Sequence, residues 1–137
     1  MKQLNKTELA ALHEALDDEY RAWATYDQVI RDFGEVRPFI NIREAEARHM
    51  QALTSLFNSY GIPVPKNNWP GQVTKYKSVH EACAKGVAAE IENGRMYERL
   101  LKSTDRSDIL TVFRHLQEAS QQRHLPAFQR CVQHGAK

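Results

Sequence analysis

From Thr7 to Phe33 the apolar positions advance by threes and fours, through Leu9, Leu12, Leu16, Trp23, Tyr26, Ile30 and Phe33. That spacing is one face of a helix. Thr7 or Asn5 can cap its start and Gly34 can end it. A second stripe, Phe39, Ile42, Leu53, Leu56 and Tyr60, starts beside Pro38 and stops at Gly61. Residues 62–77 show no helical period and hold three prolines. Ser78 then caps a third stripe of Val79, Cys83, Val87, Tyr97 and Leu101. Gly86 and Gly94 lie near that face, either as close helix contacts or as weak points of the helix. After a turn over residues 103–107 comes a fourth stripe, Leu110, Phe113, Leu116, His124, Phe128 and Cys131. Pro126 should kink or end this helix, because it removes one backbone hydrogen bond and crowds the carbonyl of Gln122.

Short links make each helix pair an antiparallel hairpin, whereas the 62–77 link is long enough to travel the length of the bundle. The sequence therefore predicts an all-α, four-helix, up-down-down-up bundle with one crossover, a single domain over residues 1–137.

The stripes are interrupted by polar residues. Glu19 stands between Leu16 and Trp23, Glu46 and His49 lie in the second stripe, Glu90 in the third, and Gln117 and Gln121 in the fourth. The interruptions repeat between hairpins. Glu19 precedes Tyr26 by seven residues, as Glu90 precedes Tyr97, and EARHMQAL from Glu46 parallels QQRHLPAF from Gln121. Arg48–His49 thus matches Arg123–His124. A carboxylate in an apolar core costs several kcal/mol unless it is partnered. A bound cation supplies a partner, since carboxylate oxygen and imidazole nitrogen both ligate first-row divalent metals. An E-x-x-H pair places both donors on one side of a helix. A Glu from each of two helices with E-x-x-H from the other two is the pattern of di-iron and di-manganese carboxylate bundles.

With those residues in view, the chain resembles the ferritin-like superfamily, as a rubrerythrin-related bundle, and within it a family of small domains of unknown function. The resemblance rests on FINIREAEARHMQALTSLFNSYGI (Phe39–Ile62), EYRAWATY before it, GVAAEIE (Gly86–Glu92) and the Ser120–Phe128 segment with HLPAF. It implies a metal site of Glu19, Glu46, His49, Glu90 and His124, with Gln121 standing where a full di-iron site has Glu. Two iron ions, or manganese, are the implied cofactor, and oxygen- or peroxide-linked oxidoreductase chemistry the implied activity. No rubredoxin-type C-x-x-C segment is present, so electrons would come from a separate donor. Glu118, one turn from Gln121, is a candidate substitute ligand.

The competing reading is a bundle with no metal, serving as a structural or protein-binding module, its buried glutamates held in Glu–Arg or Glu–His hydrogen bonds that fix helix register, with Arg48 and Arg123 as candidate partners. Tyr26 and Tyr97 read as core aromatics with one satisfied hydroxyl, and His13, His80, His115 and His134 as surface.

Charge and composition narrow the rest. Nineteen Lys and Arg against 17 Asp and Glu give a formal net charge of +2, with no basic footprint for nucleic acid or anionic membrane. No apolar run approaches a membrane span, and the N-terminal stretch has no signal-peptide pattern. The expectation is a cytoplasmic protein, with a homodimer left open. Two cysteines make no disulfide framework. Cys83 lies seven residues before Glu90 and Cys131 seven after His124, on antiparallel helices, so both thiols should be core neighbours about 10.5 Å from the site along the bundle. Reduced, space-filling thiols are the favoured state and a disulfide the alternative.

Overall fold

A computed structural model describes residues 3–134. Its helices are α1 (Lys6–Phe33), α2 (Phe39–Ser59), α3 (Val79–Leu100), α4 (Ser107–Ala119) and α5 (Leu125–His134). One π turn, Ser120–His124, joins α4 to α5, so these two form the fourth rod of the bundle.

The ends follow local chemistry. The Asn5 side chain caps α1 by accepting from Glu8 N–H, and the Glu8 carboxylate accepts from Asn5 N–H in return. Gly34 closes α1 at φ 90°, a backbone conformation that side chains disfavour. A cis Arg37–Pro38 bond leads into α2. Ser78 caps α3 through Glu81 N–H.

Cross-helix partners establish direction. Along α1 and α3 the order reverses: Glu14 meets Arg99, Asp18 meets Asn93 and Tyr26 meets Glu90. Along α2 and the fourth rod, Tyr60 meets Asp108 and Glu46 faces His124. Helix α3 is therefore antiparallel to α1, as α2 is, which gives the expected up-down-down-up order. The crossover lies against α1. Tyr20 donates to the Pro65 carbonyl, Asn67 to the Tyr20 carbonyl, and the Trp69 indole N–H to Asp17.

Two apolar clusters fill the bundle. One gathers Leu12, Leu16, Leu53, Phe57, Tyr97, Phe113 and Leu116. The other gathers Tyr26, Val29, Phe39, Ile42, Cys83 and Phe128. In sequence, Glu46, His49, Glu90 and His124 fall between the segments that build the two, and Glu19 lies at the edge of the first, beside Tyr20. Helix α3 approaches the fourth rod closely at its glycines: a Cβ on Gly86 would lie 2.8 Å from the Phe128 ring, and one on Gly94 would overlap the Gln121 amide. Close contact, not weak helix, is thus their role.

Some expectations need correction. Trp23 is only half-buried, and at the start of α4 Ile109 rather than Leu110 joins the core. His80 is half-buried, with Nε2 3.2 Å from the Val132 carbonyl. Cys83 and Cys131 are neighbours as the register predicts, with Cα atoms 6.0 Å apart, but they form a disulfide. The expectation of reduced thiols therefore fails. Helical spacing places the thiols side by side, whereas their oxidation state depends on the redox compartment, which spacing does not carry. No helix among the described residues is long and apolar enough to cross a membrane. The disulfide counts against the cytoplasmic expectation, because reducing compartments seldom keep such bonds.

Candidate metal centre

Each of the four rods sends at least one ionisable side chain to the middle of the bundle. Glu19, Glu46, Glu90, His49 and His124 are all buried, none more than 6% exposed. The i, i+3 spacing on α2 puts His49 Nδ1 2.9 Å from Glu46 Oε1. His49 Nδ1 is also 3.6 Å from Glu19 Oε1. Across the bundle, His124 Nδ1 lies 3.7 Å from Glu46 Oε1 and 3.6 Å from Glu90 Oε1. The two imidazoles stack with centroids 5.4 Å apart. One ligand atom each from Glu46, His49 and His124 falls within a 4.8 Å group.

Three of these atoms have no hydrogen-bond partner: Glu46 Oε1, His49 Nδ1 and His124 Nδ1. The 2.9 Å approach within α2 is close but not aligned as a hydrogen bond. Orphaned buried polar atoms are uncommon and costly. Here three of them converge on one point.

The surrounding residues repeat the two-fold pattern of the sequence. The Tyr97 hydroxyl of α3 donates to Glu19 Oε2 of α1. The Tyr26 hydroxyl of α1 donates to Glu90 Oε2 of α3 at 2.6 Å. Each tyrosine, seven residues past its own helix's glutamate, thus holds the glutamate of the antiparallel neighbour. Burial, reinforced by the adjacent carboxylates, pushes both phenols well above their ordinary range and keeps them neutral donors. Burial likewise pushes the Glu46 carboxyl well above the usual carboxylate range, helped by the charges of Glu19 and Glu90. Burial acts in the same direction on Glu19, but its contacts with His49 and Tyr97 outweigh it and hold the carboxyl low.

The fourth rod breaks the symmetry. Leu125 N–H bonds to the Ser120 carbonyl five residues back, the signature of a π turn. Pro126, with no N–H of its own, follows directly. The wide turn brings Ser120 and His124 inward, and the Ser120 hydroxyl donates to Glu90 Oε1 at 2.6 Å. Gln121 is turned against α3, where its amide nitrogen donates to the Glu90 carbonyl at 2.6 Å and lies 2.9 Å from Ser120 Oγ. It is therefore placed beside the cluster, engaged elsewhere. Glu118 is exposed, as are Arg48 and Arg123, so neither the substitute ligand nor the Glu–Arg pairing is formed. Ser120 was missed by sequence reasoning. Pro126 was the available signal, since the shift in register it accompanies brings position 120 to the glutamate.

Fold and site together define a small four-helix protein with a carboxylate–histidine cluster in its core. The sequence profile of an uncharacterised protein domain, DUF2202, matches residues 12–137, and the chain belongs to that family. Its structure is similar to the crystal structure of hypothetical protein MJ0754 from Methanococcus jannaschii DSM 2661, with a TM-score of 0.88 at 25% identity, covering 100% of this chain and 86% of that one. No curated protein matches the sequence.

Proposed function

We propose that this chain binds divalent metal, iron or manganese, in the middle of its bundle. The observation that carries the reading is the convergence of Glu46 Oε1, His49 Nδ1 and His124 Nδ1, three buried donors with no other partner. Their mix of one oxygen and two nitrogens suits a first-row transition ion better than calcium or magnesium. Glu19 and Glu90 complete the ligand set, each fixed in orientation by a tyrosine from the facing helix.

Charge balance does not choose between one ion and two. Three carboxylates and two neutral imidazoles leave one negative charge with one divalent ion and one positive charge with two. Hydrogen bonding does discriminate. Both oxygens of Glu90 already accept, from Ser120 and from Tyr26, and Gln121 faces α3. A first ion therefore binds tightly at the orphaned donors. The second position of the di-metal pattern, beside Glu90 and His124, is the weaker one.

When bound, iron or manganese supplies redox chemistry toward dioxygen or peroxide, the activity implied by the resemblance to ferritin-like proteins. The chain's own residues hold the cluster side chains in place, pack an apolar cluster on each side along the bundle, and keep two neutral phenols on the outer carboxylate oxygens. An oxidoreductase cycle would further need a separate electron donor.

Metal binding adds to stability by mass action, about 2.7 kcal/mol at a hundred times the dissociation constant. Iron(II) added anaerobically, or manganese(II), should raise the melting temperature of the wild type and leave that of Glu46→Ala unchanged. Equal responses from the two proteins, or none from the wild type, would reject the site.

A further inference from the structure

The two histidines that face Glu46 also form part of the wall of a surface cleft of about 480 Å3 between α2 and the fourth rod. That size suits a small organic molecule. Its walls are largely apolar, with Ile42, Ala45, Leu116 and Ala127 among them. Four arginines, Arg37, Arg48, Arg123 and Arg130, line it together with His115, and no Asp or Glu does. This is unusual within the molecule. Of the seven arginines elsewhere, Arg21, Arg31, Arg43, Arg95, Arg99 and Arg106 each hold a carboxylate, and Arg114 forms no salt bridge among the described residues. The four cleft arginines form no salt bridge among the described residues, and Arg37, Arg48, Arg123 and Arg130 are all exposed. Two of them come from the internal repeat. Arg48 and Arg123 each precede a cluster histidine, so the helical step that sends His49 and His124 inward leaves a guanidinium outside on each side.

Like charges gathered without counter-charges repel one another, and guanidinium forks match carboxylate and phosphate oxygens. We propose that this cleft binds a small organic anion, its carboxylate or phosphate group held by Arg48, Arg123 and the two flanking arginines and its apolar part laid against the alanine and leucine walls beside His49 and His124. The cleft gives an anionic ligand a path to the core cluster, and its binding does not depend on the metal. The opposite cavity, under the crossover, reaches Glu90 and Tyr26 but contains Asp18 and Glu90 in its lining, and so lacks this one-signed character.

The test is calorimetric titration of the full chain, treated with chelator, at low ionic strength, with hexanoate, hexyl phosphate, hexanamide and inorganic phosphate as probes. Hexanoate or hexyl phosphate should saturate with a dissociation constant below about 1 mM, at least about tenfold tighter than hexanamide and inorganic phosphate. The tighter of the two names the head group. The Arg48→Gln/Arg123→Gln double variant should weaken this binding at least about tenfold, while Arg114→Gln, an exposed charge outside the cleft, should leave it within about twofold. Both variants change only exposed residues, and an unaltered melting temperature shows that each is folded. A dissociation constant above about 1 mM for both anions, equal binding of hexanamide or inorganic phosphate, or a double variant indistinguishable from wild type would overturn the proposal. Because the titration is done without metal, a failure here leaves the metal reading standing, and a failure of metal uptake leaves this one standing.

Discussion

At the scale of single residues, the centre is arranged by partners that no ligand motif includes. Tyr97 and Tyr26 each hold a glutamate across the α1–α3 interface, and Ser120 holds the second oxygen of Glu90. Hydrogen bonds of this kind orient ligands, and losing one commonly costs about 10- to 100-fold in metal affinity. Tyr97→Phe preserves the packing and removes only the hydroxyl, so it should weaken manganese(II) binding by about that factor in a competition assay. Binding unchanged in Tyr97→Phe would mean that Glu19 is not held as a ligand. The five buried ionisable positions of the core were legible in the sequence because an ionisable residue inside an apolar stripe is conspicuous. The tyrosines were visible only as core aromatics. A seven-residue spacing shows that a side chain shares its helix face with a glutamate, but it does not identify which helix supplies the partner.

Helix elements fix where those residues stand. The start of α1 is tied to the turn between α3 and α4. Glu8 accepts from Asn5 N–H at 3.0 Å, from the Thr104 hydroxyl at 2.5 Å and from Arg106 Nε at 3.0 Å. The Thr104 hydroxyl, aided by Asn5 and Arg106 and opposed by burial, holds the Glu8 carboxyl below its ordinary 4.5. A carboxyl with a depressed folded value contributes stability that is complete above the unfolded value and is lost as pH falls through the folded one. Glu8→Gln should therefore cost about 2 kcal/mol at neutral pH, as hydrogen bonds to a charged group do. The gap from wild type should close in denaturant titrations taken below about pH 4. A gap independent of pH would show that the ionised form of Glu8 is not the stabilising one. Element boundaries were readable because their chemistry is local: Asn5, Gly34, Ser78 and Gly61 act within a turn of themselves. The π turn was not. Pro126 marked a disturbance, but whether the helix kinks, ends or widens depends on what faces it, and here Gly94 leaves room for Gln121 while Ser120 meets Glu90.

Across the whole molecule, the architecture is two apolar clusters with a carboxylate–histidine centre in the middle of the bundle, with the crossover packed along α1 and the Cys83–Cys131 disulfide joining α3 to α5 within the second cluster. The overall topology was legible because link lengths dictate it. The redox state of the cysteines was not, because proximity alone does not oxidise a thiol pair. The disulfide closes a sequence separation of 48 residues, for which loop entropy predicts about 4 kcal/mol of stabilisation. Reduction, or Cys83→Ala/Cys131→Ala, should lower the unfolding free energy by up to that amount, and equal stability with and without reductant would show that the bond adds nothing. The account stands or falls on whether the buried carboxylates and histidines hold metal. Elemental analysis of the chain purified without chelator tests this most directly. The expected result is about one equivalent or more of iron or manganese in the wild type and under about a tenth in Glu46→Ala/His49→Ala. Less than about a tenth of an equivalent in the wild type, with no uptake when iron(II) or manganese(II) is added anaerobically, would contradict it.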